Sequence, residues 1–159
     1  MPKFEFCPRC AAALEDVTDH EGRVRRSCLA CGFVHYANPT PVVAAIVEHD
    51  GCVVLARSHG WPESWFGLVT GFLEQGEEAA EGVLREVKEE LGLDGELVEF
   101  VGVYSFHRMN QVILAWHVRA SGEITVGAEL AAIKRVPIAD LKPWPMGTGK
   151  AVADWLARR

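Results

Sequence analysis

The chain has 159 residues and a mass of 17.5 kDa, room for one principal domain and a small accessory unit. Hydrophobic residues at 49% and charged residues at 24% exclude a disordered chain, and the longest apolar run, residues 42–47, falls far short of the roughly 18 to 20 needed to cross a bilayer. A net charge of -6, from 16 basic and 22 acidic residues, excludes a broad basic field for gathering nucleic-acid phosphates, so action on an acidic ligand calls for a metal. The opening Met1-Pro2-Lys3-Phe4-Glu5-Phe6 lacks the apolar core and cleavage site of a secretory signal, and a cytoplasmic, reducing location is the expectation.

Four of the five cysteines then fall as Cys7-Pro8-Arg9-Cys10 and Cys28-Leu29-Ala30-Cys31, with 17 residues between the pairs. Each pair can turn two thiolates toward one point. Four thiolates close a tetrahedron that suits a structural Zn²⁺ and leaves no open position for catalysis. Residues 19–22 read as a turn and 23–26 as a short strand, which makes a hairpin pinned by zinc the expectation for residues 1–37. About 35 residues bury too little core to fold unaided. Two disulfides or a redox C-x-x-C are the alternatives. Five basic and five acidic side chains balance within this module, so the charge excess lies beyond it.

Residues 33–41, with Pro39 and Pro41, read as a linker into a second domain over residues 38–159. Strands are expected at 42–47 and 52–56, joined by an Asp50-Gly51 turn, and at 97–103, 111–118 and 133–136. Cys52 reads as a small buried hydrophobe of its strand. Helical spacing of Ala80, Val83, Leu84, Val87 and Leu91 predicts a helix over 78–91, ended by Gly92, and Ala151, Val152, Trp155 and Leu156 predict another from about Gly149 onward. Interleaving of this kind indicates an α/β domain with its sheet between helices.

The first helix carries Arg85-Glu86-Val87-Lys88-Glu89-Glu90, an arrangement that opposes its own stability. Glu86 and Glu90 repel across one turn, and Glu89 and Glu90 sit in the last turn, where the helix dipole is already negative. Arg85 cannot neutralise the set alone. Mg²⁺ or Mn²⁺ can, since hard cations take carboxylate oxygens and share substrate phosphates. Upstream, the glycine-bounded segment Gly71-Phe72-Leu73-Glu74-Gln75-Gly76-Glu77 feeds the helix, and Glu77 can pair with Arg85 if the loop folds back.

Residues 71–93 resemble the Nudix box, G-x5-E-x7-R-E-U-x-E-E-x-G-U with U aliphatic, at all nine specified positions. The resemblance implies an α/β/α sandwich with a mixed sheet, here preceded by a small zinc ribbon. It also implies hydrolysis of a nucleoside diphosphate linked to another group, with Mg²⁺ or Mn²⁺ on Glu86, Glu89 and Glu90 and with Glu77 and Arg85 bracing the loop. Glu129, in Gly127-Ala128-Glu129-Leu130, falls where related enzymes carry a further metal-binding or basic glutamate. Metal ions in such a site bridge phosphates, lower the pKa of a bound water and stabilise the charge that develops as water attacks phosphorus.

A zinc ribbon before a Nudix domain is similar to the NADH pyrophosphatases and to a pyrophosphatase of FAD and ADP-ribose, which implies a small-molecule nucleotide substrate and release of AMP. The NADH branch carries a downstream signature near S-Q-P-W-P-F-P-x-S, and this chain departs from it over residues 103–111. Arg108 and Gln111 look more like the FAD and ADP-ribose branch. Tyr104, with Arg108 and Gln111, and Trp61 ahead of the box are therefore the expected substrate contacts, while Trp65 reads as packing. Removal of the NAD cap from RNA, and nucleotide sensing without turnover, are the competing readings. The relatives make a homodimer conceivable, and no membrane partner is expected.

Overall fold

In the computed structural model, which describes residues 4–159, the chain parts after Pro39 into two units. The first unit carries an antiparallel sheet of β1 (Glu15–Thr18), β2 (Val24–Ser27) and β3 (Val34–His35), in that order. Asp19 builds the turn between β1 and β2: its Oδ1 accepts the N–H groups of Glu21 at 2.9 Å and Arg23 at 2.8 Å. The expected linker at 33–41 is in part this third strand, because Val34 and His35 pair with Ser27 and Arg26. Among the described residues, the buried apolar core of this unit is Cys7, Leu14 and Cys28, with Ala12 and Phe33 packed against them.

The second unit holds β4 (Thr40–His49), β5 (Cys52–Ser58), β6 (Val69–Phe72), helix α1 (Ala79–Leu91), β7 (Asp94–Phe106), β8 (Gln111–Ser121), β9 (Leu130–Pro137) and helix α2 (Gly149–Leu156). Five strands follow the order β7-β8-β4-β5-β9, and β6 also pairs with β4. The β4–β8 pair is parallel and the remaining pairs are antiparallel, so the sheet is mixed.

Strand β4 is buried on both faces, and its period of two sorts the core. Val42, Ala44 and Ile46 pack with Ala151, Val152 and Trp155 of α2, whereas Val43, Ala45 and Val47 pack with Val83, Val87 and Leu91 of α1. One helix on each face gives the α/β/α sandwich. At the edge of β4 the sheet forks: β6 covers residues Val42 to Ala45, β5 covers Val47 to His49, and β5 then diverges along β9. Ala56 and Gly67 bridge the fork through two N–H···O bonds of 2.9 Å.

Strand β6 escapes sequence reading because it has only four residues, includes Gly71 and runs into the start of the box. Strand β7 extends well past the expected 97–103, with irregularities between Leu97 and Glu99 and between Phe100 and Gly102. Among the described residues, no helix is long and apolar enough to cross a membrane.

Candidate active site and metal centre

The two cysteine turns of the first unit are built alike. In each, the first cysteine donates its N–H to the carbonyl five residues on, Cys7 to Ala12 and Cys28 to Phe33, both at 2.8 Å. In each, the residue four positions on returns its N–H to the first cysteine's carbonyl at 2.9 Å, from Ala11 and from Gly32. Both of those residues are left-handed, with φ of 60° and 74°. The Sγ atoms of Cys7 and Cys31, and of Cys10 and Cys28, lie 3.5 Å apart, and all four fall within 4.8 Å of one another. A disulfide needs about 2.05 Å, whereas sulfurs at about 2.3 Å from one zinc stand roughly 3.8 Å apart, so the spacing is that of a tetrahedral metal site. Burial pushes the Cys7 thiol up, but N–H groups of Arg9 and Cys10 outweigh it and bring it down to about 7. The thiol of Cys31 is pushed up to about 12: against the lowering N–H of Phe33 stand burial and the other three thiols. Four thiolates therefore need a cation among them.

In the second unit, the box loop folds back onto α1. Arg85 is its clamp. Its Nε and Nη2 donate to the Glu77 carboxylate at 2.7 and 3.1 Å, its Nη1 to Glu86 at 2.7 Å and Glu89 at 2.9 Å, and Nη2 also to the carbonyl of Phe72 at 3.2 Å. The Arg85 guanidinium first, and the N–H of Glu74 second, hold the Glu77 carboxyl below its ordinary value. Gly71 is required by contact, not by φ: a Cβ there would overlap the Glu86 carboxylate. Burial raises the Glu86 carboxyl, with Arg85 opposing.

Glu90 is 8% exposed, and its Oε2 has no hydrogen-bond partner. Burial, then the charges of Glu86, Glu129 and Glu89, push its carboxyl up to about 8. Glu129 reaches this neighbourhood because its loop docks on the end of α1, where Thr125 and Gly127 donate N–H groups to the carbonyls of Leu91 and Glu90, both at 2.8 Å. Gly92, left-handed at φ 70°, closes the helix by donating to Lys88. A Cβ on Gly127 would strike the carbonyl of Glu89.

The four acids are thus gathered by two segments, and an orphaned buried carboxylate oxygen among hard oxygen donors fits a divalent cation such as Mg²⁺ or Mn²⁺. The acids do not converge as the cysteines do, because Arg85 holds Glu86 and Glu89. Among the described residues the cysteine quartet is the one set of three or more potential ligands brought together in that way.

Of the expected substrate contacts, Tyr104 and Arg108 line one cleft that Gln111 and Trp61 do not. Arg108 is exposed in the short turn His107–Met109 and lines a cleft of about 330 Å³ with Phe106, His107, Met146 and Lys150. Gln111, half-buried, opens β8 and pairs with Phe106 and Thr40. Trp61 is 42% exposed and lies over Gly67 near Thr148.

Tyr104, expected at the substrate, lines the same cleft as Arg108 but is largely covered. The irregularity before Gly102 turns both Val101 and Tyr104 toward α2, leaving Tyr104 7% exposed, with its hydroxyl donating to Asp154 at 2.9 Å. Burial, then Asp154, pushes that hydroxyl up to about 12. Trp65, expected to pack, is exposed instead. Sequence reading passes over Phe72, whose ring is exposed within the box, and Arg57 at the end of β5. An aromatic at a box position of unspecified identity, and a cation closing an apolar strand, are the signals that would have found them.

The NUDIX domain family matches residues 37–155. A NAD-capped RNA hydrolase, NudC, of Pseudomonas aeruginosa is 32% identical over 120 residues, 75% of this chain and 42% of that protein. The NAD-capped RNA hydrolase NudC of Pseudomonas putida is 27% identical over 156 residues, 97% of this chain and 55% of the relative. The chain thus spans about half the length of these relatives. Among solved structures, a NUDIX hydrolase from Nitrosomonas europaea aligns with a TM-score of 0.81 at 23% identity, covering 98% of this chain and 92% of that one. An ADP-ribose pyrophosphatase from Streptococcus suis aligns at 0.62 and 22% identity, covering 76% and 92%. At these identities the structural likeness speaks for the fold.

Proposed function

The chain belongs to the NUDIX family, and on that premise we propose that it hydrolyses the diphosphate linkage of an adenosine diphosphate joined to a second group, with release of AMP. The observation that carries this reading is the buried, uncompensated Glu90 carboxylate among Glu86, Glu89 and Glu129. An acid cluster of that kind is costly to maintain unless a cation completes it.

Glu86, Glu89 and Glu90 would hold Mg²⁺ or Mn²⁺, which when bound would supply charge neutralisation of the diphosphate and a lowered pKa for water. Arg85 and Glu77 fix the loop so that the Glu86 carboxylate stays beneath Gly71. Of the four acids, Glu129 alone is both exposed and outside the Arg85 clamp and the buried core, and it takes the proton of the attacking water. Trp61, Arg108, Gln111 and the exposed ring of Phe72 contact the nucleotide. In the first unit, Cys7, Cys10, Cys28 and Cys31 hold a structural Zn²⁺.

The substrate class draws on the relatives named NAD-capped RNA hydrolase and the neighbour named ADP-ribose pyrophosphatase, since NAD caps and ADP-ribose share an adenosine diphosphate. Capped RNA is the second reading, favoured by those relatives' name. The net charge of -6 favours the small nucleotide. The test is kcat/KM with Mg²⁺ on ADP-ribose, NADH, NAD⁺, FAD, a nucleoside triphosphate and NAD-capped RNA. The expected ranking puts an AMP-releasing dinucleotide or nucleotide sugar first. A preferred triphosphate would overturn the assignment, and preference for capped RNA, weakening steeply with salt, would select the second reading.

A further inference from the structure

The four cysteines of the first unit are not equivalent. Cys7 and Cys28 are buried, at 3% and 2% exposed, whereas Cys10 and Cys31 are open to solvent. Pinning a fold does not require open thiolates, and a thiolate in contact with water is the form of cysteine most readily oxidised.

The spacing across the quartet gives such an oxidation a definite course. Each exposed sulfur stands 3.5 Å from a buried one of the other turn, Cys31 from Cys7 and Cys10 from Cys28. An oxidised thiol proceeds to a disulfide when a second thiol reaches its sulfur, and otherwise lies open to further, irreversible oxidation. Here the second thiol is already in place, held by the matched turns in which Cys7 and Cys28 donate to the carbonyls of Ala12 and Phe33. Closing from 3.5 Å to the length of a disulfide asks for about 1.5 Å of movement. Both bridges would join one turn to the other, over sequence separations of 24 and 18 residues. They would therefore replace the connection that a metal makes between the turns, whereas bridges within each C-x-x-C pair would sever it. The described core of Cys7, Leu14 and Cys28 is small enough that this connection matters to the fold. Cys52, half-buried in β5 of the second unit, stands outside the quartet.

We infer that the quartet is a site of peroxide modification, in which Cys10 and Cys31 are oxidised first and each is resolved by its buried neighbour, giving Cys10–Cys28 and Cys7–Cys31 disulfides in exchange for zinc. The exposed thiolate attacks one peroxide oxygen and breaks the O–O bond, forming a sulfenic acid and hydroxide. The buried thiolate then attacks the sulfenic sulfur, forming the S–S bond and expelling a second hydroxide. Two sulfurs lose two electrons, one peroxide gains them, and two protons from solvent convert the hydroxides to water. With two donors in a disulfide, the quartet no longer closes a tetrahedron. The inference deepens the four-thiolate zinc reading and rests on it.

The test treats the full chain, purified reduced and loaded with zinc, with hydrogen peroxide, and follows a chromophoric zinc chelator and non-reducing peptide mapping with tandem fragmentation. Before treatment one equivalent of zinc per chain is expected. After it the whole equivalent is released, with Cys7–Cys31 and Cys10–Cys28 as the main linked peptides, and a thiol reductant with added Zn²⁺ restores binding. Cys52→Ser is expected to release zinc at the wild-type rate. Zinc retained while peroxide oxidises Cys52, zinc retained in Cys52→Ser, linkage of Cys7 to Cys10 and of Cys28 to Cys31, or conversion to sulfinic and sulfonic acids would overturn the inference. A reduced chain that takes up no zinc would remove the four-thiolate reading itself, and the exchange with it.

Discussion

Glu90 concentrates the conflict between stability and function. Its carboxyl is raised from 4.5 to about 8, so the folded protein binds a proton there that the unfolded chain has released. Without divalent metal, the stability this group contributes is full below pH 4.5 and is lost as the pH rises toward 8. Glu90→Gln keeps the volume and removes the charge. In Mg²⁺-free buffer its Tm is expected to exceed that of the wild type at pH 8.5 and to match it more closely at pH 5.5, by differential scanning calorimetry. A Tm below the wild type at both pH values would show that Glu90 is compensated after all. At Gly71 the requirement is steric: Gly71→Ala must displace the Glu86 carboxylate, and kcat/KM is expected to fall at least tenfold with little change in Tm. Unchanged turnover would mean that the position of Glu86 does not matter.

At the scale of elements, helix α1 was legible from its apolar spacing and Gly92, and the cysteine ribbon from its C-x-x-C pairs. Strand β6 was not, because its place depends on pairing with Val42 to Ala45, a long-range contact that no local signal encodes. The burial of Tyr104 was hidden for a related reason. One extra residue before Gly102 reverses which side chains face inward, and alternation read from sequence cannot locate such an insertion. Arg57 and Phe72 were invisible as functional candidates, since a buried guanidinium nitrogen without an acceptor, or an exposed ring, is recognised only once its neighbours are known. In the ribbon, the described core is as small as Cys7, Leu14 and Cys28, so a metal bound by the four cysteines would be the main source of order. Cys28→Ser is expected to abolish stoichiometric zinc, measured by plasma emission, and a full equivalent retained would exclude the four-thiolate site.

Strands β4 and β8 are joined to the chain end through His117 Nε2 and Glu48 at 2.9 Å and through Arg159 and Glu48 at 2.7 Å. Burial, opposed by Glu48, lowers His117 below its ordinary 6.5, so the unfolded chain takes up this proton first as the pH falls. The stability tied to this group is present above pH 6.5 and is lost as the pH drops through the lower folded value. Tm is expected to fall between pH 7 and 5, with a smaller fall in His117→Gln. Equal slopes would remove His117 from the acid response.

Taken whole, the second unit uses two helices to cover a forked mixed sheet and gathers its acids on α1 and the loop before β9, where Arg85 pairs Glu86 and Glu89 and leaves Glu90 uncompensated. On the proposed function, the acid cluster works through a divalent cation. The most direct measurement is a Mg²⁺ titration of AMP release from the best substrate, run side by side for the wild type and Glu90→Gln. Saturable Mg²⁺ dependence in the wild type, with turnover lower by about two orders of magnitude or more in the variant, is the result expected. AMP release of equal rate in both proteins would contradict it.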